Sequence, residues 1–594
     1  MRLPVLLSAL LLATSALAAP PASSTPEPRG EVRARLSSVE QYLDDWDVPA
    51  ARRELEALQK LVPADIEPLK YFQGRIAFEE GRYDEAVGLL EGAKVDDKPG
   101  SYLRLARDTR DIVKGHQKAE SEHFILLYPP GKDAILAPYA LETLEAIHRA
   151  LQQDLGYAPP GKVRVELVNS ARELSKVSTL TLKQIQTTGT IAICKFNKLM
   201  VTSPKAVARG YDWQDTLAHE YVHLVVSQLS HNTVPIWLHE GLAKYQESRW
   251  RGEGGLALTP STLALLGRRV KSNTLVPFEK MHPSIAMLPT AEDAATAFAE
   301  VFFAIDYLHG EKGTAGMRAL IASLKGGQTD KKAVESAMGM PFAQFEKGWL
   351  AHIKQQPFPK ELLPREQVVL KEEGKADAKK QKGKEISFGD FAEVTEVPAR
   401  QFAHLGELMR ERNRTKAASE ELSRAHALVG DKYESVSNKY ALTLLELKRL
   451  DEAERVLRGS LRVHPGSPQT NVHLGRILLF RKDYPKARTA YLEALAADPF
   501  DPEIHLALTR IHGALGEQAL AERTRKASSV LTGLKPEEVD KVAQALVQDE
   551  GALGGMDVPG TETRPSPPAP KPQPAGKGGR EDVDAFGMGR DGGQ

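Results

Sequence analysis

The chain has 594 residues, of which 27% are charged, and its 79 basic and 79 acidic residues give a formal net charge of zero. A single core rarely serves more than about 250 residues, so this length predicts at least two folding units. The balanced charge excludes a general electrostatic attraction to nucleic acid or to an anionic membrane. Any partner must therefore be recognised locally.

Residues 1–18 have the pattern of a secretory signal peptide. One basic residue, Arg2, precedes a short apolar run, and Ala-Leu-Ala at residues 16–18 suits cleavage after Ala18. We expect a protein that is exported to a periplasm or secreted. We expect no transmembrane segment, because no apolar run has the ~20 residues that a spanning helix needs. Cys194 is the only cysteine, which excludes an intramolecular disulfide and a lipid-bearing cysteine near the signal.

Residues 29–116 have the pattern of short amphipathic helices joined by tight turns. Gly81 separates two of them, and Ala51 and Ala86 hold similar positions 35 residues apart. This part resembles the tetratricopeptide repeat, whose period is about 34 residues. The resemblance implies a small all-α domain at the N-terminal end.

Residues 119–357 change to short apolar runs that alternate with helical stretches, which predicts an α+β domain with a small sheet. Four such runs are expected to be strands, at residues 124–128, 163–168, 190–194 and 199–202. The last two runs flank a turn that contains Asn197, and this arrangement predicts a hairpin.

Residues 397–531 show a sharper repeat. Ala453 and Ala487 are 34 residues apart, and so are Pro465 and Pro499. This part resembles a tetratricopeptide solenoid, which implies all-α repeats that bind a protein or peptide partner.

Two further segments have biased composition. Residues 358–396 include a run of charged residues without the apolar side chains that a core needs, which predicts a solvated linker. Residues 551–594 are rich in proline and glycine and are expected to form a disordered tail.

The chemistry of the chain is concentrated in a predicted buried helix around residues 213–226. His219 and His223 are four residues apart, so they lie on one face, with Cβ atoms about 5–6 Å apart, and can bind one metal ion. Glu220 lies about 100° round the helix, beside the open position of such a metal. Zinc suits imidazole and carboxylate ligands, and Glu220 would take the proton of the attacking water.

A second predicted helix follows Pro235 and has the sequence Trp-Leu-His-Glu-Gly-Leu-Ala at residues 237–243. Together with the His-Glu-x-x-His helix, this sequence resembles the peptidase MA-like gluzincins, and the resemblance covers about residues 120–357. It implies a zincin-like fold in which Glu240 joins His219 and His223 as the third zinc ligand. It also implies that Glu220 is the general base.

Four other side chains near this motif are candidates for supporting roles. His239 neighbours Glu240 and could be a ligand in its place, but it points elsewhere on its helix. Glu247 could approach the metal or orient a ligand, although a solvated carboxylate at the helix end is the simpler interpretation. Tyr245 and Tyr307 are candidate donors to the oxyanion of the transition state, with buried structural tyrosines as the alternative.

The motif also excludes neighbouring classes of enzyme. A metzincin needs glycine and histidine where this chain has Val226 and Leu229. The region near Leu199 does not form the Gly-x-Met-Glu-Asn motif of the aminopeptidase-N-like gluzincins. We therefore expect an exported zinc endopeptidase whose repeats recruit a protein substrate or partner. The alternative is a catalytically inactive envelope scaffold that uses its repeats to assemble partners.

Overall fold

A computed structural model describes residues 28–207, 210–252, 258–282, 284–359, 370 and 391–548. The predicted signal peptide, most of the predicted linker and the predicted tail lie outside these described residues. Within the described ranges, none of the helices combines the length and the apolar character that a bilayer crossing requires.

The N-terminal part consists of five helices that pack in succession. Their bounds are α1 (Pro28–Asp44), α2 (Val48–Gln59), α3 (Glu67–Glu79), α4 (Tyr83–Gly92) and α5 (Tyr102–Val113). The two repeat-related residues Ala51 and Ala86 are fully buried, because small side chains let neighbouring helices approach closely. The start of α2 is fixed by the Asp47 side chain, which accepts a hydrogen bond from the backbone N–H of Ala50.

A five-stranded mixed sheet follows, with the strand order β1-β2-β3-β5-β4. The strands are β1 (Gln117–Glu120), β2 (Phe124–Tyr128), β3 (Val163–Val168), β4 (Ala192–Lys195) and β5 (Lys198–Thr202). The three central strands β2, β3 and β5 are parallel, whereas β1 and β4 are antiparallel edge strands. Sequence did not indicate β1, whose four residues are mostly polar and exposed.

The predicted hairpin is confirmed between β4 and β5. Lys195 pairs with Lys198, which leaves only Phe196 and Asn197 in the loop. Both have a φ of 56°, and two consecutive positive φ angles are the geometry of the tight turn that matches strand twist. The hairpin places β4 at the sheet edge, where it packs against the helix that carries His219 and His223.

Nine helices within the described ranges complete this α+β domain. They are α6 (Leu136–Leu155), α7 (Ala171–Val177), α8 (Leu182–Thr188), α9 (Trp213–Ser230), α10 (Ile236–Gln246), α11 (Pro260–Lys271), α12 (Ala291–Lys325), α13 (Asp330–Met338) and α14 (Phe342–Lys354). The long helix α12 is kinked at Gly313, whose φ of 61° and ψ of −162° are not helical.

The C-terminal part is built from paired helices. The pairs are α15 (Val397–Glu411) with α16 (Thr415–Val429), α17 (Glu434–Glu446) with α18 (Leu450–Val463), α19 (Pro468–Phe480) with α20 (Tyr484–Ala497), and α21 (Pro502–Ala514) with α22 (Gln518–Thr532). A last helix, α23 (Pro536–Gln548), follows them. Zincin-like α+β domain and all-α repeats are therefore both present, as the sequence predicts.

The sheet lies between two layers of helices. Its side chains alternate between its faces, so each strand contributes to the cores on both sides. Leu199 and Val201 of β5 belong to the core formed with α6 and α9, whereas Met200 belongs to the core formed with the N-terminal helices. All three are buried. The N-terminal helices are thus part of the same folded body as the sheet.

A buried ion pair crosses the contact between the sheet and the N-terminal helices. The Nζ atom of Lys198 lies 2.8 Å from Glu166 Oε2 and 2.8 Å from the hydroxyl of Tyr83 on α4, and that hydroxyl also donates to Glu166. The side chains of Lys198 and Glu166 are fully buried. Burial lowers the pKa of Lys198, and the nearby Glu166 opposes this effect.

The C-terminal repeats pack directly on the first turn of α9. The backbone N–H of Tyr211 donates to Ala497 O at 3.1 Å, and the indole N–H of Trp213 donates to Leu495 O at 3.4 Å. Gly210 has a φ of 71°, and a Cβ atom there would lie 2.1 Å from Ala497 O. Only glycine fits this close approach between the domain and α20.

Replacement of Gly210 by alanine should therefore loosen this contact. Gly210→Ala meets a backbone carbonyl and also a positive φ, whereas Gly516→Ala meets a similar φ of 78° in open space. The strain of a positive φ alone costs about 1–2 kcal/mol. We expect Gly210→Ala to lower the melting temperature clearly more than Gly516→Ala in scanning calorimetry. Equal losses would show that the contact with Ala497 contributes nothing.

Loss of the buried lysine should be far more damaging than loss of an exposed one. Lys198→Met leaves Glu166 buried without its cation, which costs about 3–5 kcal/mol in the free energy of unfolding. Lys162→Met is the control, because its ion pair with Glu120 is solvent-exposed and worth about 0–1 kcal/mol. Urea denaturation measures both, and adding Glu166→Gln to Lys198→Met should recover part of the loss. A similar cost for both lysines would contradict this account.

Candidate metal centre

Helix α9 carries the first two predicted ligands through the core of the domain. Leu217, Tyr221, Leu224 and Val225 are fully buried, so the helix is enclosed on most of its circumference. The side chains of His219 and His223 remain 16% and 14% exposed. Both side chains are therefore partly accessible to solvent.

Helix α10 brings the third predicted ligand back to the same place. The chain leaves α9 through His231 and Asn232, which have φ angles of 53° and 56° and so reverse its direction. Gly241, beside Glu240, lies against α12, and a Cβ atom there would be 2.8 Å from Val301 O. The glycine of the Glu-Gly pair thus lets α10 approach α12 closely enough to fix the position of Glu240.

The structure brings His219, His223 and Glu240 together. Glu240 Oε2 lies 3.4 Å from Nε2 of His219 and 3.5 Å from Nε2 of His223. In the described part of the chain, this is the one group of three or more His, Cys, Asp or Glu residues whose ligand atoms all lie within 4.8 Å of one another. Two imidazole nitrogens and one carboxylate oxygen are the donor set of a catalytic zinc site with an open position. The residues therefore fit a zinc ion.

The electrostatics of the site favour a positive charge between these donors. Burial alone would lower the pKa of His219, but hydrogen bonds to Glu240 and Glu247 raise it to about 10. Burial likewise opposes ionisation of Glu240, but His223 and His219 hold the pKa of that carboxyl well below its usual range. The carboxylates that favour a protonated His219 would also favour a bound cation.

Glu220 lies beside the donors and is not one of them. It is 8% exposed, and burial raises the pKa of its carboxyl, with His223 and His219 acting in the opposite direction. The backbone of Cys194 on β4 acts in the same direction as the two histidines and lowers the pKa of this carboxyl. The edge strand packs on α9, so it borders Glu220 from the side of the sheet.

Glu247 has a role that the sequence did not favour. Its side chain is only 17% exposed, and its Oε2 atom lies 3.0 Å from Nδ1 of His219. Lys244 donates to its other oxygen. The interpretation as a solvated carboxylate at a helix end is wrong, because the end of α10 lies against α9 rather than in solvent. Glu247 instead fixes the ring of His219, so that Nε2 points to the metal position.

His239 plays the corresponding part for His223. Its Nδ1 atom lies 2.6 Å from Nδ1 of His223, and its Nε2 atom lies 3.1 Å from the Ser227 hydroxyl. If Ser227 accepts the proton of Nε2, then Nδ1 of His239 accepts the proton of His223 Nδ1. Burial lowers the pKa of His239 to about 3, which keeps it neutral in this position.

The two candidate tyrosines lie in contacts with other elements. The Tyr245 hydroxyl is 2.9 Å from Nδ1 of His309 on α12. The Tyr307 ring packs against Phe345 and His352 on α14. Within the described residues, neither hydroxyl forms a hydrogen bond with His219, His223 or Glu240.

Comparisons with known proteins agree with this reading of the two parts of the chain. Residues 143–355 match the Peptidase MA superfamily, and residues 444–511 match the tetratricopeptide repeat. The first match contains the whole candidate site. No curated protein matches the chain in sequence.

Three solved structures show weak overall similarity. Yeast LTA4 hydrolase in complex with Bestatin is 13% identical, with 73% of this chain and 67% of that chain covered and a TM-score of 0.27. MamA MSR-1 C2 is 20% identical over 24% of this chain and 78% of that chain, with a TM-score of 0.21. The APC/C hetero-tetramer Cut9-Hcn1 is 11% identical over 86% of both chains, with a TM-score of 0.23.

The two family matches and the geometry of the site agree with each other. The chain carries a Peptidase MA superfamily domain, which holds His219, His223 and Glu240, and it carries tetratricopeptide repeats.

Proposed function

We propose that the protein is a zinc-dependent endopeptidase that cleaves protein substrates after export. The observation that carries this proposal is the convergence of His219, His223 and Glu240, with Glu220 buried beside them. Export to a periplasm or to the medium rests on the sequence of residues 1–18. The repeats are proposed to recruit the substrate or a protein partner.

The ligand atoms of the proposed site are Nε2 of His219, Nε2 of His223 and a carboxylate oxygen of Glu240. Zinc, when bound, supplies Lewis acidity that polarises a peptide carbonyl and makes water easier to deprotonate. Glu247 and His239 hold the two imidazole rings through their Nδ1 atoms. These contacts leave both Nε2 atoms free to bind the metal.

Glu220 is proposed to move the proton of the reaction. Its carboxylate takes a proton from the attacking water and then gives it to the amine nitrogen that leaves the cleaved peptide bond. The raised pKa that burial gives Glu220 makes it a better proton acceptor than an exposed carboxylate.

Glu220→Gln should separate catalysis from metal binding. The substitution keeps the shape of the side chain but removes the base, so we expect cleavage of casein to fall by about 10²–10⁴-fold. Bound zinc, measured by elemental analysis, should stay near that of the wild type. His223→Ala, which removes a ligand, should lose both zinc and activity.

The same measurements test the proposal against an inactive scaffold. A wild-type protein that binds no zinc and cleaves neither casein nor a peptide library would overturn the proposed function. Equal loss of zinc in Glu220→Gln and His223→Ala would overturn the assignment of roles.

Glu247→Gln should weaken zinc binding although Glu247 is not a ligand. Loss of its charge weakens the contact that holds His219, and such changes typically weaken metal affinity by about 10–100-fold. Glu311→Gln is the control, because Glu311 is an exposed carboxylate on α12. Competition with a chromogenic chelator measures the affinity of each variant. Equal affinities would show that Glu247 does not orient His219.

A further inference from the structure

The C-terminal repeats meet the peptidase domain at the first turn of the helix that carries His219 and His223. Besides the contacts of Tyr211 and Trp213 described above, a charged contact crosses here. The Nη1 atom of Arg251 lies 3.7 Å from Oε2 of Glu493 on α20. Arg251 belongs to the short helical turn Arg249–Arg251, which follows α10 in the chain. A charged side chain of the repeats therefore lies close to the elements that form the metal centre.

A series of charged side chains begins at the metal position. Oε2 of Glu247 lies 3.0 Å from Nδ1 of His219, and Lys244 donates to the other oxygen of Glu247. Burial opposes the charge of Lys244, but Glu247 and Asp215 raise the pKa of its amine on balance. Asp215 therefore belongs to the same group of interacting charges.

Asp215 connects this group to the repeats. It precedes His219 by four residues, so the two side chains share a face of α9 and lie about 6 Å apart along its axis. Its carboxylate accepts hydrogen bonds from Nε and Nη2 of Arg251 at 3.2 and 3.3 Å, and from the indole of Trp250 at 2.7 Å. The guanidinium of Arg251 thus lies between Asp215 and Glu493. We call this series the charged line, and its members are Glu247, Lys244, Asp215, Arg251 and Glu493.

The surplus negative charge of the charged line lies at Glu493. Two of its three carboxylates are matched by a cation in direct contact, Glu247 by Lys244 and Asp215 by Arg251. Glu493 lies beyond hydrogen-bond distance of Arg251, and its side chain is 40% exposed. A carboxylate in this position attracts a further cation from solvent.

A peptide that is bound at the metal position is long enough to reach Glu493. One helical turn and the contacts of Arg251 separate Glu493 from His219, a distance on the order of 10–15 Å. An extended peptide advances about 3.3 Å per residue, so a side chain three or four residues from the cleaved bond spans this distance. The side chain of His219 is 16% exposed, so solvent reaches both ends of the charged line.

We propose that Glu493 is a specificity-determining residue of the peptidase and that it binds a lysine or arginine side chain three or four residues from the cleaved bond. This inference rests on the proposed function and names a substrate class for it, namely proteins with a basic residue near the cleaved bond. A substrate cation balances the three carboxylates and two cations of the charged line. Helix α20 of the repeats thus takes part in the choice of cleavage site.

Cleavage of a randomised peptide library, with the products mapped by mass spectrometry, tests this role in the full-length protein. For the wild type, we expect lysine and arginine to be preferred over acidic residues by about five-fold at one such position, as for a partly exposed ion pair. Glu493→Gln should abolish the preference. Glu493→Lys should reverse it in favour of aspartate and glutamate, which loss of packing alone does not do.

The matched control is Glu142→Lys. It breaks another ion pair between the two domains, in which Arg523 of α22 donates to Glu142 of α6. The neighbouring Thr143 accepts a hydrogen bond from Gln214, which lies about 100° round α9 from Asp215. We expect this variant to lower the melting temperature without changing the preference for basic residues.

The outcomes separate this inference from the proposed function. If the wild type cleaves the library without a basic preference, or if the Glu493 variants keep that preference, the role of Glu493 is overturned and the peptidase activity stands. Loss of the preference in Glu142→Lys as well would assign it to the domain contact as a whole, which also overturns the role of Glu493. A wild type that cleaves no peptide overturns the proposed function, and this inference with it.

Discussion

The structure depends on helix α9, which is buried in the core and yet carries polar side chains that need partners. A helix that passes through the core must satisfy each polar side chain it carries, because an unpaired buried group costs several kcal/mol. His219 is held by Glu247 and Glu240, and His223 is held by His239 and Glu240. These partners lie on α10 or at its C-terminal cap, and β4 packs on α9 on the side of Glu220. The packing of these two elements on α9 therefore creates the site.

Each neighbour of α9 is in turn fixed by a contact elsewhere. The β4 strand is set by its two-residue turn to β5, and β5 is joined through Lys198 to the N-terminal helices. The α10 helix is set by the approach of Gly241 to α12. The first turn of α9 is held by the C-terminal repeats through Trp213. The flanking domains thus belong to the framework of the site and are not loosely tethered modules.

The parts of the site that sequence predicted are those that follow from local periodicity. His219 and His223 share a helix face, and Glu240 lies in a short helix whose pattern resembles that of a known family. The β4–β5 turn was likewise predictable from Asn197 and its flanking apolar runs. The two histidines and the turn residues are close together in the chain, so helix or strand geometry alone brings them together, whereas Glu240 was predicted from the family resemblance.

The parts that sequence missed depend on long-range packing. From sequence, Glu247 is predicted to be a solvated carboxylate at the end of α10. Nothing within α10 reveals that this end lies against His219, 28 residues earlier. The bond from Trp213 to Leu495 spans 282 residues and has no local signal. The same is true of α23, whose apolar residues are visible in the sequence while its packing on α19 and α21 is not.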